Sequence, residues 1–163
     1  MDRKARKFEK ISFEQFKKDV KDDIGLYNNY CLPKRSTRYS AGYDFFALED
    51  ITIKPKEIVK IPTGYKAELH ENEVLLIIVR SSTGYKYNVR MCNQVGVVES
   101  DYYNNESNEG HIWIALQNEG NEVFTLARNK GYVQGIFTSF LLTDDDEVKE
   151  IRKGGIGSTT KEG

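Results

Sequence analysis

The chain predicts an all-β fold, a β-barrel or jelly-roll with one short N-terminal helix and a flexible, glycine-rich C-terminal tail. Three observations carry that prediction. From Tyr39 onward, short runs of Tyr, Ile, Val and Phe recur with turn residues between them. One early stretch repeats its apolar residues at helical spacing. And 163 residues, 39% hydrophobic and 12% aromatic, suffice for one domain with a substantial core.

The helix is expected from Ser12 to Ile24. Ser12 and Gln15 have capping-box spacing, Ile11 and Phe16 sit as a hydrophobic staple, and Phe13, Phe16, Val20 and Ile24 form one apolar face. Asp22, Asp23 and Gly25 mark its end. Strands are expected near 43–47, 50–54, 57–61, 65–69, 73–80, 86–91, 95–98, 111–116, 122–127 and 132–141, with turns such as Pro62-Thr63-Gly64 and Glu119-Gly120-Asn121 between them. Many short strands with one early helix point to a barrel or jelly-roll rather than an α/β sheet. The acidic run Asp144 to Glu147 reads as a solvated connection. Beyond it, the stretch from Arg152 to Lys161 is polar and glycine-dense, either a frayed tail or a mobile flap whose backbone N–H groups crowd an anion.

Composition narrows the function. With 24 Lys and Arg against 25 Asp and Glu, the net charge of −1 argues against a dedicated duplex-binding protein but leaves room for a nucleotide pocket. The longest apolar run, Val74 to Val79, has strand length, far below the roughly 20 residues of a membrane helix. Met1 to Lys7 is basic without an apolar stretch behind it, so no secretory signal is expected. Cys31 and Cys92 are distant in sequence and read as reduced thiols. With His70 and His111 beside them they form no adequate zinc set. A soluble, cytoplasmic domain is the expectation.

Four segments carry chemistry. Arg80-Ser81-Ser82-Thr83-Gly84 leaves an apolar strand with a planar guanidinium fork, two serine hydroxyls and a glycine, a set that suits phosphate but also suits an ordinary polar turn. Asp44 stands in the otherwise apolar strand Tyr43 to Ala47 and, facing inward, needs a partner. Glu99 and Asp101 follow the run Val95 to Val98. With strict alternation they share a face opposite Ser100, as a water-activating pair or as a solvated hairpin mouth. In the tail, Arg152, Ser158 and Thr159 supply donors. His111 reads as a strand-edge histidine.

The order of these segments decides between the readings. AGYDFFA, RSSTG, NQVGVVESDYY, QGIF and RKGGIGST follow one another as do the five motifs of the homotrimeric dUTP pyrophosphatases, and the chain resembles that family from about Lys34 to its C-terminus. ESDYYNNESNEGHI is similar to a branch with a lengthened third-motif hairpin, found in Gram-positive bacteria and their phages. The resemblance implies a distorted jelly-roll over residues 34–143, an N-terminal helical extension over 1–33, and an acidic connection and active-site flap over 144–163. It further implies a threefold trimer with shared sites, dUTP as substrate and Mg²⁺ held mainly by the triphosphate. No stable nucleic-acid or membrane partner is expected.

By position, the resemblance assigns Arg80, Ser81, Ser82, Gly84 and Gln134 to the phosphates, together with Arg152, Ser158 and Thr159 of the tail. Asp44 supports the metal and phosphate region. Asn93 and Val98 of the hairpin contact the nucleoside, Tyr102 packs beneath the deoxyribose and rejects a 2′-hydroxyl, and Ile156 covers uracil. Glu99 takes the position of the catalytic base, where the family normally carries Asp. The extra methylene adds on the order of 1.5 Å of reach, and misplacing a reacting group by about 1 Å costs on the order of a hundredfold. Three further departures are Ile156 in place of a stacking Phe, a shortened lead-in from Asn129 to Gln134, and Val79 in place of a proline before Arg80. Two other functions fit the same motifs: a slow dUTP-sensing binding protein and, less well, a dCTP deaminase of the same fold.

Overall fold

The computed structural model describes residues 5–160. The outer ends of the terminal segments considered above, 1–4 and 161–163, lie outside the described residues, including part of the basic Met1 to Lys7 stretch and Lys161 of the tail. In chain order the elements are β1 (Lys7–Lys10), α1 (Phe13–Asp19), α2 (Ile24–Asn29), β2 (Lys34–Arg35), β3 (Tyr43–Phe46), β4 (Ile51–Ile53), β5 (Ile58–Pro62), β6 (Tyr65–Glu68), β7 (Glu73–Val79), β8 (Val89–Met91), β9 (Gly96–Glu99), β10 (Trp113–Asn118), β11 (Phe124–Leu126) and β12 (Gly131–Ser139). A π-helical turn occupies Ser82–Lys86 and a 3₁₀ turn Ser100–Tyr102.

All strand pairings are antiparallel. The largest sheet runs β2-β3-β12-β7-β9; β5-β10-β8 forms a second, and β1-β6 and β11-β4 are two-stranded. Together they make a distorted jelly-roll. β10 alternates strictly, burying Ile114, Leu116 and Asn118, as a sheet with one face on the core requires. β7, between β12 and β9 in the sheet, is apolar from Val74 to Val79, with the side chains of both its faces buried or half-buried. Phe45, Tyr65, Leu75, Ile114, Leu116 and Tyr132 are fully buried at the centre.

The expected strands between 43 and 139 are present, most with edges moved by one or two residues. The strand expected at 86–91 begins at Val89, because the turn at Ser82–Lys86 holds the chain in helical geometry. The last strand stops at Ser139. β1 and β2 escaped the sequence pattern, for both are short and charged, and only Phe8 of β1 is buried.

The N-terminal helix requires a larger correction. It is two helices, and Ile24 is exposed rather than part of the apolar face. Asp23 does not merely end the first: its carboxylate accepts from Leu26 N–H at 2.8 Å and caps the second. Ser12 caps α1 by accepting from Gln15 N–H at 3.2 Å. The reciprocal half of the capping box is absent: the Gln15 amide donates to Asp19, and Ser12 N–H donates to Glu109. Phe16, Leu26 and Tyr30 enter the same core as Phe45 and Tyr65, so the helices are packed into the barrel.

Candidate active site

Two clusters hold the residues singled out from sequence. The first lies where β9 ends. Val74 of β7 pairs with Glu99, and the chain then turns through the 3₁₀ segment that carries Asp101 and Tyr102. This turn corrects the expected alternation, since the strand ends at Glu99. The two carboxylates converge nevertheless, because the tail returns to them. Arg152 N–H donates to Asp101 at 2.9 Å, Arg152 Nη2 donates to Glu99 at 2.7 Å, and Arg152 Nε lies 3.4 Å from Asp101. Gly155 makes that return possible: a Cβ there would stand 2.7 Å from Ser107 Oγ and 3.1 Å from Asn108 Nδ2.

Beside this cluster opens a cavity of about 670 Å³, within the usual range for a small-molecule site. Of the residues assigned from sequence it is lined by Asn93, Val98, Glu99, Tyr102, Arg152 and Ile156, and Thr159 also reaches it. Trp113 of β10 is a wall that sequence reasoning missed. Ser158 does not line it. Tyr102 is buried, with its hydroxyl donating to the His111 carbonyl at 2.7 Å and accepting from Asn108 Nδ2 at 2.8 Å. Burial pushes the phenol above its ordinary range, so it remains a protonated donor.

The second cluster lies at the other end of β7. Arg80 Nε is 3.0 Å from Asp44 of β3, and its Nη1 donates to the Gly131 carbonyl at 3.2 Å. Asp44 therefore faces inward with the cation it needs. Gln134, opposite Asp44 across the β3–β12 pair, lies tight over Gly42, where a Cβ would come within 2.1 Å of its side-chain oxygen. Ser81 and Ser82 are exposed at the start of the π-helical turn, and Gly84 within it donates to the Arg80 carbonyl at 3.1 Å. None of these residues lines the cavity. Six steps of ~3.3 Å along β7, from Val74 beside Glu99 to Arg80, place the clusters about 20 Å apart.

His111 is not at a strand edge. It is fully buried ahead of β10, with Nδ1 2.6 Å from Asp19 and Nε2 accepting from Gly64 N–H at 2.9 Å.

A dUTPase family model matches residues 28–160 of this chain. The chain belongs to the dUTPase family. Among its relatives, the deoxyuridine 5′-triphosphate nucleotidohydrolase of Lactococcus lactis is 46% identical over 130 residues, covering 78% of this chain and 87% of that protein. The enzyme of the same name from Aeromonas salmonicida is 30% identical, covering 86% and 93%. In structure, the chain is similar to the dUTPase from Streptococcus mutans, with a TM-score of 0.69 at 40% identity over 85% of this chain and 99% of the other. The dUTPase of phage phi11 of S. aureus shares the fold, with a TM-score of 0.65 at 17% identity over 90% and 97%.

Proposed function

We infer that the chain hydrolyses dUTP to dUMP and pyrophosphate. The observation that carries this reading is the convergence of Glu99, Tyr102 and the tail's Arg152 on one cavity walled by the segment from Met91 to Glu99, in a member of the dUTPase family. Uracil enters beside Asn93 and Val98 under Ile156, and the deoxyribose lies on Tyr102. The triphosphate meets Arg80, Ser81, Ser82, Gly84 and Gln134, with Arg152, Ser158 and Thr159 closing from the tail. Glu99 takes a proton from water as the water oxygen bonds to the α-phosphorus. The bond from that phosphorus to the α–β bridging oxygen breaks, and pyrophosphate leaves with the electron pair. Arg152 is seated by its backbone N–H on Asp101, and its guanidinium, which donates to Glu99, turns its remaining N–H groups to phosphate oxygens, whose negative charge grows at the leaving group.

The substrate is the Mg²⁺ complex of dUTP. Among the described residues no group of three or more His, Cys, Asp or Glu side chains could hold a metal ion, which fits an ion carried by the triphosphate. Asp44, beside Arg80, is the carboxylate placed to support it from the protein side. The ion supplies charge neutralisation at the phosphates.

The separation of the clusters supports a trimer. Arg80 and Glu99 of one chain cannot grip the same α-phosphate across about 20 Å. Arg80 from one subunit therefore serves Glu99 of another, and residues 144–163 close the shared site around the barrel of residues 34–143. Among the described residues no helix is long and apolar enough to cross a membrane, in keeping with a cytoplasmic enzyme. Pyrophosphate release from dUTP, dCTP, dTTP and UTP, with and without Mg²⁺, tests the reading: release is expected from dUTP with Mg²⁺. Ammonia from dCTP, or tight dUTP binding without turnover, would overturn it.

A further inference from the structure

The N-terminal helix α1 is fastened at both ends to the loop that carries Tyr102. At its start, Ser12 donates from N–H and Oγ to the Glu109 carboxylate, at 2.7 and 2.6 Å, and Lys66 Nζ donates to the same carboxylate at 2.8 Å. At its end, Asp19 meets His111. Ahead of the helix, Glu9 of β1 accepts from Tyr103 Oη at 2.6 Å. Within itself the loop is tied by buried Asn105, which donates to the Tyr102 carbonyl at 2.8 Å and accepts from Ser107 and Asn108 N–H at 3.0 and 3.2 Å, but those bonds do not fix it to the rest of the barrel. Here it is gripped at 103, 109 and 111.

The contact between Asp19 and His111 is the most constrained of these. An imidazole nitrogen that accepts from a backbone N–H carries no proton, so the Gly64 contact leaves Nε2 bare and places the ring proton on Nδ1, aimed at Asp19. Burial holds the ring below its ordinary range and keeps it neutral. The Gly64 contact thus sets the tautomer, and the carboxylate, taking the Nδ1 proton, holds the orientation of the ring. The same residue's carbonyl takes the Tyr102 hydroxyl, and the ring packs against Trp113, another wall of the cavity. A side chain that refuses a hydroxyl by collision must be held to within about 0.5 Å, or it yields instead of refusing.

We propose that Asp19 is a positioning residue for sugar discrimination: through His111 it fixes Tyr102, and so sets how strictly a ribonucleotide is refused. This rests on Tyr102 being the wall beneath the deoxyribose. It assigns the N-terminal extension a part in specificity.

The test compares kcat/KM for dUTP over UTP. Asp19→Ala is expected to lower that ratio about tenfold, the scale of one lost charge-assisted hydrogen bond, with KM carrying the change and kcat on dUTP within about twofold. Asp19→Asn keeps an acceptor for Nδ1–H and is expected to restore the ratio to within about threefold of the parent. In a double-mutant cycle, Asp19→Ala and Tyr102→Phe together should cost less than the product of their separate effects, because they act along one chain of bonds. In the unaltered protein, the ¹⁵N resonances of the His111 ring should shift on saturation with dUMP and not with UMP. A folded Asp19→Ala protein with a lowered melting temperature and the parental ratio would show a purely structural role and overturn the proposal. So would a His111 resonance indifferent to dUMP, a measurement that needs no variant to fold. If Tyr102→Ala also leaves the ratio intact, the sugar-wall reading fails with it; if Tyr102→Ala collapses the ratio and Asp19→Ala does not, only the proposal fails.

Discussion

The two ends of β7 are built on opposite plans. At the Glu99 end, Arg152 is only 14% exposed and is engaged by Asp101 and Glu99, while Tyr102 is buried under two hydrogen bonds. At the Arg80 end, the guanidinium is held on one side by Asp44, yet the side chain is 38% exposed, and Ser81 and Ser82 are exposed beside it. The first end is a finished pocket within one chain. The second is a set of partly exposed donors, anchored by Asp44 and the Gly131 carbonyl and lining no pocket of its own chain. Pocket and donors are complementary in chemistry and too far apart to meet, which is what a site shared between copies requires.

The comparison is broken most severely at Glu99. Glu99→Gln keeps the shape and the Arg152 contact but cannot take a proton, so kcat should fall about a thousandfold with dUTP affinity retained; titration calorimetry beside turnover separates the two. Next comes Arg80→Ala, expected to lower kcat/KM about a hundredfold. Mixing the two impaired variants and allowing subunits to exchange should then raise activity above that of either, since some mixed sites receive an intact Glu99 and an intact Arg80. Mixtures no more active than their parents would show that each site is built within one chain.

Removing the chain from Arg152 onward should lower kcat by roughly tenfold or more, because closure and one phosphate donor are lost together. The barrel should keep its melting temperature within a few degrees, as the tail buries little. The smallest effect concerns pH. His111 is held below its ordinary value of 6.5, so the unfolded chain binds more protons than the folded one in that range. Its stabilising contribution is complete above about pH 6.5 and is lost as the pH falls through the lowered folded value. Melting temperature should therefore decline on acidification below that point, and His111→Gln should flatten the decline.

Much of the fold was legible in the residues. The alternation in β10, the unbroken apolar run of β7 and the turn chemistry between strands each report on neighbours a few positions away, and those elements lie close to where periodicity places them. The site was legible as an ordered set of motifs. What periodicity missed has a common cause. β1 has one buried apolar side chain and is a strand because β6 pairs with it. Asp101 is a seat for Arg152 because the tail comes back to it, and His111 is buried because α1 closes over it.

By itself, then, the sequence determined the β architecture, the residue types of the candidate site and their order along the chain. Those depend on side-chain chemistry and on spacings of two to four residues. Only the tertiary structure decided that Glu99 meets Arg152 across 53 positions, that Asp19 meets His111 across 92, and that Arg80 and Glu99 stand at opposite ends of one strand. Such pairings follow from where the chain reverses and which strands lie side by side. No local pattern encodes them, because each partner would look the same in a chain folded otherwise.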